Sequence, residues 1–501
     1  MELSHSSSRS VRVSTEYILW AVLGLFVALR FFYGNWTHLA LFYDEAYYHL
    51  WSVTPDWGYY SKPPMVAWLI HAGTWLFGTH EWSVRLASPI LYTLSIAMVY
   101  QLGRYLFDRR TASYAALIYG SMPLLGFNSL FITTDAPLLF FWVICLYCFV
   151  QAISADNVSR QIVWWLGVGV SCGLGLLSKY TMIMLPAGLG LLMLIVPPFR
   201  HHLRTPWPWL AALLAGAIFS PNLWWNAAHQ FISFQHTSEI AHLDRSLFHP
   251  EQLLLFILAQ IMVFGPVAAY LFIRQPWREL RTSAAHKVLS AATLPMLGII
   301  LLQAFLSEAN ANWAAPAYIG ASLLVAHSLQ RKPAAQHATL TWLVGVNLSL
   351  LAIFYSYPAL QHSLGFEESR QNTPFHRVLG WRELVQALPP IKDNTIVVSD
   401  SRAILSYTHF YGHTNTGNTL QVASFNPDNH IGDHFDLMYP LKPGDQAILF
   451  ISKNATVPSG CFSDLTPLPP VHYDGYPQLQ RQWYVFTATG FTGYEQCDYA
   501  N

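Results

Sequence analysis

The stretch "APLLFFWVICLYCFVQAI", residues 136–153, runs for 18 residues without a charged side chain. A run of this length and composition is typical of a helix that crosses a lipid bilayer. Comparable apolar runs occur at 16–34, 86–106, 111–131, 162–178, 181–197, 207–225, 252–273, 288–306, 314–328 and 339–357. The sequence therefore predicts a polytopic α-helical membrane protein with about 11 transmembrane helices.

The composition supports this class. Of the 501 residues, 53% are hydrophobic and 11% are charged, whereas a soluble protein carries about 25% charged residues. The formal net charge is zero, which gives no argument for binding nucleic acid. The run at 16–34 is long and no small-residue cleavage site follows it, so we expect it to remain as a span.

Lysine and arginine residues set the expected orientation, because they are enriched in cytoplasmic segments. With the N-terminus inside, the cytoplasmic segments carry most of these residues. The outer segments before the last span carry only Lys62, Arg85, Lys179 and Arg245. We therefore predict that the N-terminus is cytoplasmic and that the C-terminal tail lies on the outer side of the membrane.

The tail differs from the rest of the chain. Its segments "NTIVVSD" (394–400), "DQAILFIS" (445–452) and "RQWYVFTA" (481–488) have the composition of short strands, and 375–388 has helical spacing. We predict a membrane domain over 1–358, whose first outer segment is 35–85, and a small α/β domain on the outer face over 359–501.

Two cysteines, Cys461 and Cys497, lie in this exported domain. An even pair in an oxidising compartment favours a disulfide. Two unpaired thiols are the alternative.

The first outer segment carries "YDEAYY" (43–48), with Asp44 and Glu45 close to a span. Apolar residues of "LFYDEAYYHLWSV" recur at nearly helical spacing, which suggests a helix lying at the membrane interface. An aromatic belt with solvated carboxylates is the alternative explanation. In "YSKPP" (60–64), the two prolines stiffen the backbone beside Lys62, which suits an ammonium held in place for an anion.

Ionisable groups at membrane depth are costly and are usually functional or paired. Asp135 begins a span in "TTDAP" (133–137), where a helix N-cap is the alternative role. A carboxylate and a cation at one interface fit a reaction in which a base removes a hydroxyl proton while a phosphate leaves. Further candidate cations are Arg85 and Lys179, and the candidate substrate-lining residues are Tyr47, Trp57, Tyr59, Tyr60, Asn312 and Trp313.

No motif indicates a metal site with useful specificity, and we expect no required cofactor. A divalent metal at His236 and Glu239 in the loop at about 227–250 is possible, although solvated histidines are the simpler interpretation. His242 and Asp244 belong to the same loop.

Taken together, the motifs resemble the bacterial branch of the protein O-mannosyltransferase-like family. These are type-C (GT-C) glycosyltransferases, and the lipid A aminoarabinose transferase belongs to the same group. The resemblance covers roughly residues 15–330 and rests on "YDEAYYHLWSVTPDWGYYSKPPMVAWLI", "WSVRLASPI", "LGRYLFDRRTA", "TTDAPLLFFWVICLY", "GLGLLSKYT", "SPNLWWNAAHQFISF" and "NANWAAPAYI".

The resemblance implies an inverting glycosyltransferase of the bacterial inner membrane that moves a sugar from a polyprenyl-phosphate donor to an acceptor on the periplasmic side. It also implies that the C-terminal domain over 359–501 is periplasmic. It implies that Asp44 is the general base, helped by Glu45, and that Asp135 is the second acidic position. It matches Lys62 to the lysine that binds the lipid phosphate, with Arg85 as a weaker candidate.

This chain differs from the aminoarabinose enzyme at two motif positions, so we do not assign the sugar of that enzyme to this chain. Ser61 replaces a glutamate, and Tyr47 replaces an arginine. We expect a glycolipid acceptor, lipid A or another lipopolysaccharide component, and a monomeric enzyme. A transporter or flippase of lipid-linked sugars is one alternative, and transfer to protein is another.

Overall fold

The computed structural model describes residues 6–36, 39–240, 248–275, 277–281, 283–330, 336–365, 369, 372–456, 460–475 and 480–497. The chain forms two compact units. The helical unit comprises Met1–Trp36, Lys62–Leu69 and Arg85–Ile353. The sheet unit comprises Thr37–Ser61, Ile70–Val84 and Phe354–Asn501, so the first outer segment contributes most of its residues to the sheet unit.

The helices are α1 (Ser6–Trp36), α2 (Tyr43–Val53), α3 (Met65–Phe77), α4 (Glu81–Arg85), α5 (Ala87–Leu106), α6 (Arg109–Gly120), α7 (Pro123–Asn128), α8 (Asp135–Ser154), α9 (Val158–Ser178), α10 (Met184–Ile195), α11 (Pro197–Arg200), α12 (Trp207–Ala228), α13 (Ile232–Ile240), α14 (Pro250–Phe264), α15 (Pro266–Arg274), α16 (Ala284–Leu306), α17 (Ala317–Gln330), α18 (Gln336–Ser363), α19 (Trp381–Gln386), α20 (Arg402–Tyr411) and α21 (His434–Met438). The strands are β1 (Thr395–Ser399), β2 (Gln421–Ser424), β3 (Gly444–Ser452), β4 (Phe462–Tyr473) and β5 (Arg481–Phe491).

The helical membrane fold is confirmed. Within the described residues, five helices are long and apolar enough to cross a bilayer, and two bent helix pairs raise the number to seven. The five are Glu81–Leu106, α8, α9, α16 and α18. The count of 11 spans stays a prediction, since helices such as the 14-residue α17 are shorter than a bilayer requires.

The span predicted at 252–273 is not one continuous helix, which corrects the sequence analysis. It breaks into α14 and α15, whose axes bend by 106°. Gly265 at the break has φ +98°, and a Cβ there would lie 1.9 Å from Asn347 Oδ1. Only glycine tolerates both conditions, and the following Pro266 has no N–H to continue the helix of α14.

Packing within the helical unit places the ends of several helices near one another. α8 lies against both α5 and α9, and Trp142 on α8 has no exposed surface. Because α8 and α9 are joined by a short connection, the start of α8 lies beside the end of α9. This arrangement positions Asp135 next to Lys179.

The sheet unit contains a five-stranded sheet in the order β2-β1-β3-β5-β4. β1 pairs in parallel with β2 and β3, whereas β5 pairs antiparallel with β3 and β4. The predicted α/β domain is therefore confirmed. The sequence analysis missed β2 and β4. β4 contains three prolines, which a sheet tolerates at an edge strand such as this one.

The helix predicted at 375–388 is largely replaced by a short 3₁₀ turn (His376–Val378) and by α19. Gly380 separates them with φ +82°, a conformation that no regular helix contains.

Elsewhere in this unit, Cys461 and Cys497 form a disulfide, with a Cα–Cα distance of 4.5 Å. It closes beside an apolar core that includes Phe450 and Phe462.

Candidate active site

Asp135 is the first residue of α8 and is 2% exposed. Its carboxylate accepts a hydrogen bond from Lys179 Nζ at 2.6 Å and another from Asn312 Nδ2 at 2.5 Å. Lys179 follows the last residue of α9, and Asn312 lies in a 3₁₀ turn at Ala311–Ala314. Three distant parts of the helical unit thus converge on one buried carboxylate.

This geometry removes the alternative role of Asp135 as a helix N-cap. Thr134 occupies the cap position, and both oxygens of Asp135 bind groups outside α8. It also bears on Lys179, whose ammonium is paired with a carboxylate. As a phosphate ligand, Lys179 would have to share its charge with Asp135.

Two other predicted cations belong to the helical unit. Lys62 is partly buried, between the buried Ser61 and Pro63. Arg85 is 7% exposed, and its guanidinium carbon lies 5.4 Å from the ring centroid of Phe131. A guanidinium held over an aromatic face is oriented as well as stabilised. Trp313, beside Asn312, is partly buried.

The helix predicted in "LFYDEAYYHLWSV" is α2, whose residues 45–52 are all buried. Its position at a membrane interface stays a prediction. The two carboxylates of α2 differ sharply. Glu45 has no exposed surface, and its Oε2 accepts a hydrogen bond from Phe42 N at 2.9 Å. This contact satisfies an N–H group at the start of the helix. Glu45 therefore secures the first turn of α2, which fixes the position of the partly exposed Asp44 beside it.

Sequence reasoning missed the cation that faces Asp44 within the sheet unit. Arg402 begins α20, and its guanidinium carbon lies 5.1 Å from the ring centroid of Tyr43 and 5.0 Å from that of Tyr47. Burial acts to lower the pKa of Arg402, but the charges of Tyr47, Asp44 and Tyr43 raise it by more, so the net direction is upward. The guanidinium therefore stays charged and interacts electrostatically with Asp44.

Asp433 is a second residue that sequence reasoning missed. Burial, followed by the charge of Asp436, raises the pKa of Asp433 to about 6, although backbone N–H groups and Arg402 oppose the shift. Asp433 also caps α21 by accepting hydrogen bonds from two backbone N–H groups. A carboxylate with this pKa changes its charge close to neutral pH.

Tyr43, Arg402 and Asp433 share a cavity of about 500 Å³, whose other lining residues are Asp400, Ser401, Ala403, Lys453 and Asn454. Residues 400–403 follow β1 and residues 453–454 follow β3. β1 and β3 are neighbours in the sheet. The chain leaves β1 toward β2 on one side of this pair, and it leaves β3 toward β4 on the opposite side. The cavity therefore lies at a topological switch point, where α/β sheets commonly bind ligands. The signal available in the sequence was "DSR" (400–402) directly after a strand.

The aromatic residues predicted to line substrate divide into two groups. Tyr47 and Tyr59 are each 1% exposed, and Tyr60 is 3% exposed. Tyr59 stacks on Trp51 with ring centroids 4.7 Å apart. Trp57, by contrast, is 46% exposed. Burial gives the three tyrosines a packing role in this structure, while lining of substrate by all four stays a prediction.

The possible metal pair lies on α13, where His236 Nδ1 and Glu239 Oε2 are 3.8 Å apart. The two residues are one turn apart on the same helix. His242 and Asp244 lie outside the described residues. A metal at His236 and Glu239 stays a prediction.

Comparison with known proteins bears on the fold and on the family of the chain. Residues 61–225 match the family described as "Dolichyl-phosphate-mannose-protein mannosyltransferase". The lipid A galacturonosyltransferase RgtD of Rhizobium johnstonii is 31% identical over 337 residues, which cover 67% of this chain and 66% of that protein.

A second relative is the undecaprenyl phosphate-alpha-4-amino-4-deoxy-L-arabinose arabinosyl transferase of Pseudomonas aeruginosa. It is 34% identical over 123 residues, covering 24% of this chain and 22% of the relative. The chain thus aligns with just under two thirds of the first relative and about a fifth of the second.

Among solved structures, the fold matches that of ArnT from Cupriavidus metallidurans bound to undecaprenyl phosphate. The TM-score is 0.61 at 15% sequence identity, covering 96% of this chain and 98% of ArnT. At this identity the match establishes a shared fold.

A charge-neutralising double substitution tests the Asp135 cluster. Lys179→Met should lower the melting temperature of the detergent-purified protein, because a buried carboxylate left without its cation costs about 3–5 kcal/mol. The double variant Asp135→Asn/Lys179→Met should recover most of that loss, since both charges are gone. Lys392→Met, at an exposed lysine, is the control. A Lys179→Met protein as stable as wild type would contradict the buried ion pair.

Proposed function

Because the chain belongs to the type-C (GT-C) glycosyltransferase family, we propose that it transfers a sugar from a polyprenyl-phosphate donor to lipid A or another lipopolysaccharide component. The observation that carries this proposal is the 31% identity to a lipid A galacturonosyltransferase over two thirds of the chain. The fold shared with ArnT, a protein crystallised with undecaprenyl phosphate, supports a polyprenyl-phosphate donor.

We further propose that transfer takes place on the periplasmic side of the bacterial inner membrane. The asymmetry of lysine and arginine favours this orientation. The disulfide between Cys461 and Cys497 in the sheet unit agrees with it, because disulfides persist in oxidising compartments.

The reaction is a single displacement at the anomeric carbon of the donor sugar. The acceptor hydroxyl oxygen forms a bond to that carbon while the bond from carbon to the phosphate oxygen breaks, and configuration inverts. The electron pair leaves with the polyprenyl phosphate, which is already anionic and needs no strong acid. Asp44 accepts the hydroxyl proton as general base.

Contacts within the sheet unit support the role of Asp44. Glu45 fixes the first turn of α2, and the charge of Arg402 acts on Asp44. A carboxylate whose helical turn is held in place and that lies within the field of a cation is suited to accept a proton from a neutral hydroxyl.

Lys62 is proposed to bind the donor phosphate. The two prolines that follow restrict its backbone, so little conformational entropy is lost when the ammonium meets an anion. Arg85 is a second candidate, although its contact with Phe131 also suits a structural role. Asp135, with Lys179 and Asn312, is proposed to support the site as a preorganised buried cluster rather than as a second base.

A transfer assay tests the function itself. The full chain, purified and reconstituted in liposomes, should move label from a polyprenyl-phosphate sugar to lipid A. Donors carrying galacturonic acid, aminoarabinose, hexosamine or mannose would identify the sugar, and a protein fraction offered in parallel would test the alternative acceptor. Label that crosses the membrane still attached to its lipid, with no transfer, would identify a transporter instead.

Asp44→Asn should lower the turnover number by at least about 10²-fold, which is the usual contribution of a general base. Donor KM should change little, because the substitution preserves shape and removes only basicity. Asp56→Asn, in the same outer segment, is the matched control and should retain turnover. Near wild-type turnover of a folded Asp44→Asn protein would refute the assignment.

Lys62→Ala should weaken donor binding by about 10–100-fold, because one hydrogen bond to a charged group is worth about 1.5–3 kcal/mol. Binding of polyprenyl phosphate to the purified protein measures this directly, without turnover. Lys442→Ala, at an exposed lysine, should bind as wild type does. Equal affinity of Lys62→Ala and wild type would remove Lys62 from the donor site.

A further inference from the structure

Three potential metal ligands meet in the helical unit, well away in sequence from the residues discussed above. Glu279 lies in a 3₁₀ turn (Trp277–Arg281), His286 on α16 and His327 on α17. Glu279 Oε2 is 3.0 Å from His286 Nε2 and 3.6 Å from His327 Nε2. The side chains of Glu279 and His286 are 10% and 5% exposed, and that of His327 is 21% exposed.

The spacing suits a tetrahedral ion. Zinc binds histidine nitrogen and carboxylate oxygen at about 2.0–2.2 Å, which places neighbouring ligand atoms about 3.4 Å apart. The two measured distances lie on either side of that value, and one ligand atom from each residue falls within 4.8 Å of the others. Within the part of the chain that the structure describes, this is the single group of three such residues.

Neighbouring aromatic contacts hold the two imidazoles in place. Phe107 stacks on His327 with ring centroids 4.3 Å apart and meets His286 edge-on at 6.1 Å. The His286 and His327 rings lie 5.1 Å apart at 71°. Rings that are fixed by packing lose little freedom when a metal binds, which favours affinity.

Charge favours a cation at this cluster. Glu279 brings a carboxylate, and Asp108 precedes α6 beside His327. The Asp108 carboxylate accepts hydrogen bonds from the backbone N–H groups of Arg110 and Thr111. It adds a second acidic group near His327.

We propose that Glu279, His286 and His327 bind one divalent transition metal ion of the zinc class. Two imidazoles and one carboxylate form a three-ligand set that leaves a fourth position for water. The ion would connect the 3₁₀ turn that follows α15 to α16 and α17. This site is separate from Asp135, Lys179 and Asn312, and it lies in segments that the lysine and arginine distribution assigns to the cytoplasmic side.

Zinc binding by the full, detergent-purified chain tests the proposal without any activity assay. After a chelator is removed by dialysis, titration against a chromophoric competitor should give one zinc equivalent per chain. Cobalt in place of zinc should give the visible absorption of a tetrahedral ion. Glu279→Gln, His286→Gln and His327→Gln should each weaken zinc binding by at least about 100-fold.

His249→Gln is the matched control, because His249 and Glu251 form an exposed pair with Nδ1 and Oε1 3.1 Å apart. His236→Gln is a second control at the pair named from the sequence. The proposal would be overturned if the wild-type protein did not bind one zinc ion per chain. It would also be overturned if His236→Gln abolished zinc binding while the three site variants retained it. If a variant at the buried His286 does not fold, the more exposed His327 still decides the outcome.

Discussion

The helical unit depends on one electrostatic constraint, the cost of burying the charge of Asp135. An isolated carboxylate in a low-dielectric interior is strongly disfavoured, so it must be paired and hydrogen-bonded. Lys179 supplies the charge and Asn312 the second hydrogen bond. These contacts fix the relative positions of the start of α8, the end of α9 and the turn at Ala311–Ala314. The sequence analysis predicts that these segments lie on the outer side of the membrane.

A comparable constraint acts in the sheet unit, where α2 carries the proposed base. Glu45 holds its first turn, Tyr47 Oη accepts a hydrogen bond from His434 N, 387 residues further along the chain, and Arg402 lies over Tyr43 and Tyr47. A general base works only when its position and charge are both set. Here Glu45 secures the turn that carries Asp44, while Arg402, from the C-terminal part of the chain, acts electrostatically on Asp44.

Local sequence patterns predicted many of the helices and strands. They did not predict which residues distant in sequence would pair. The charge-free run at 136–153 identified α8, and the motif "TTDAP" identified Asp135. No local pattern could show that Lys179 would be its partner, because that follows from how α8 packs on α9. Arg402 and Asp433 were missed for the same reason. The motif "FGP" (264–266) indicates the helix break at Gly265. The prolines in β4 made that segment unlike a typical strand sequence.

The sheet unit is assembled from pieces at both ends of the chain. Helix α2 packs on α20, and the ring of His49 on α2 meets that of the buried Phe410 on α20 at 4.8 Å. A fragment comprising only residues 359–501 would therefore expose the face of α20 that α2 covers. Closing contacts over such long separations is slow and entropically costly. Residues 37–61 and 70–84 therefore have to wait until nearly the whole protein has been synthesised before their own fold can be completed.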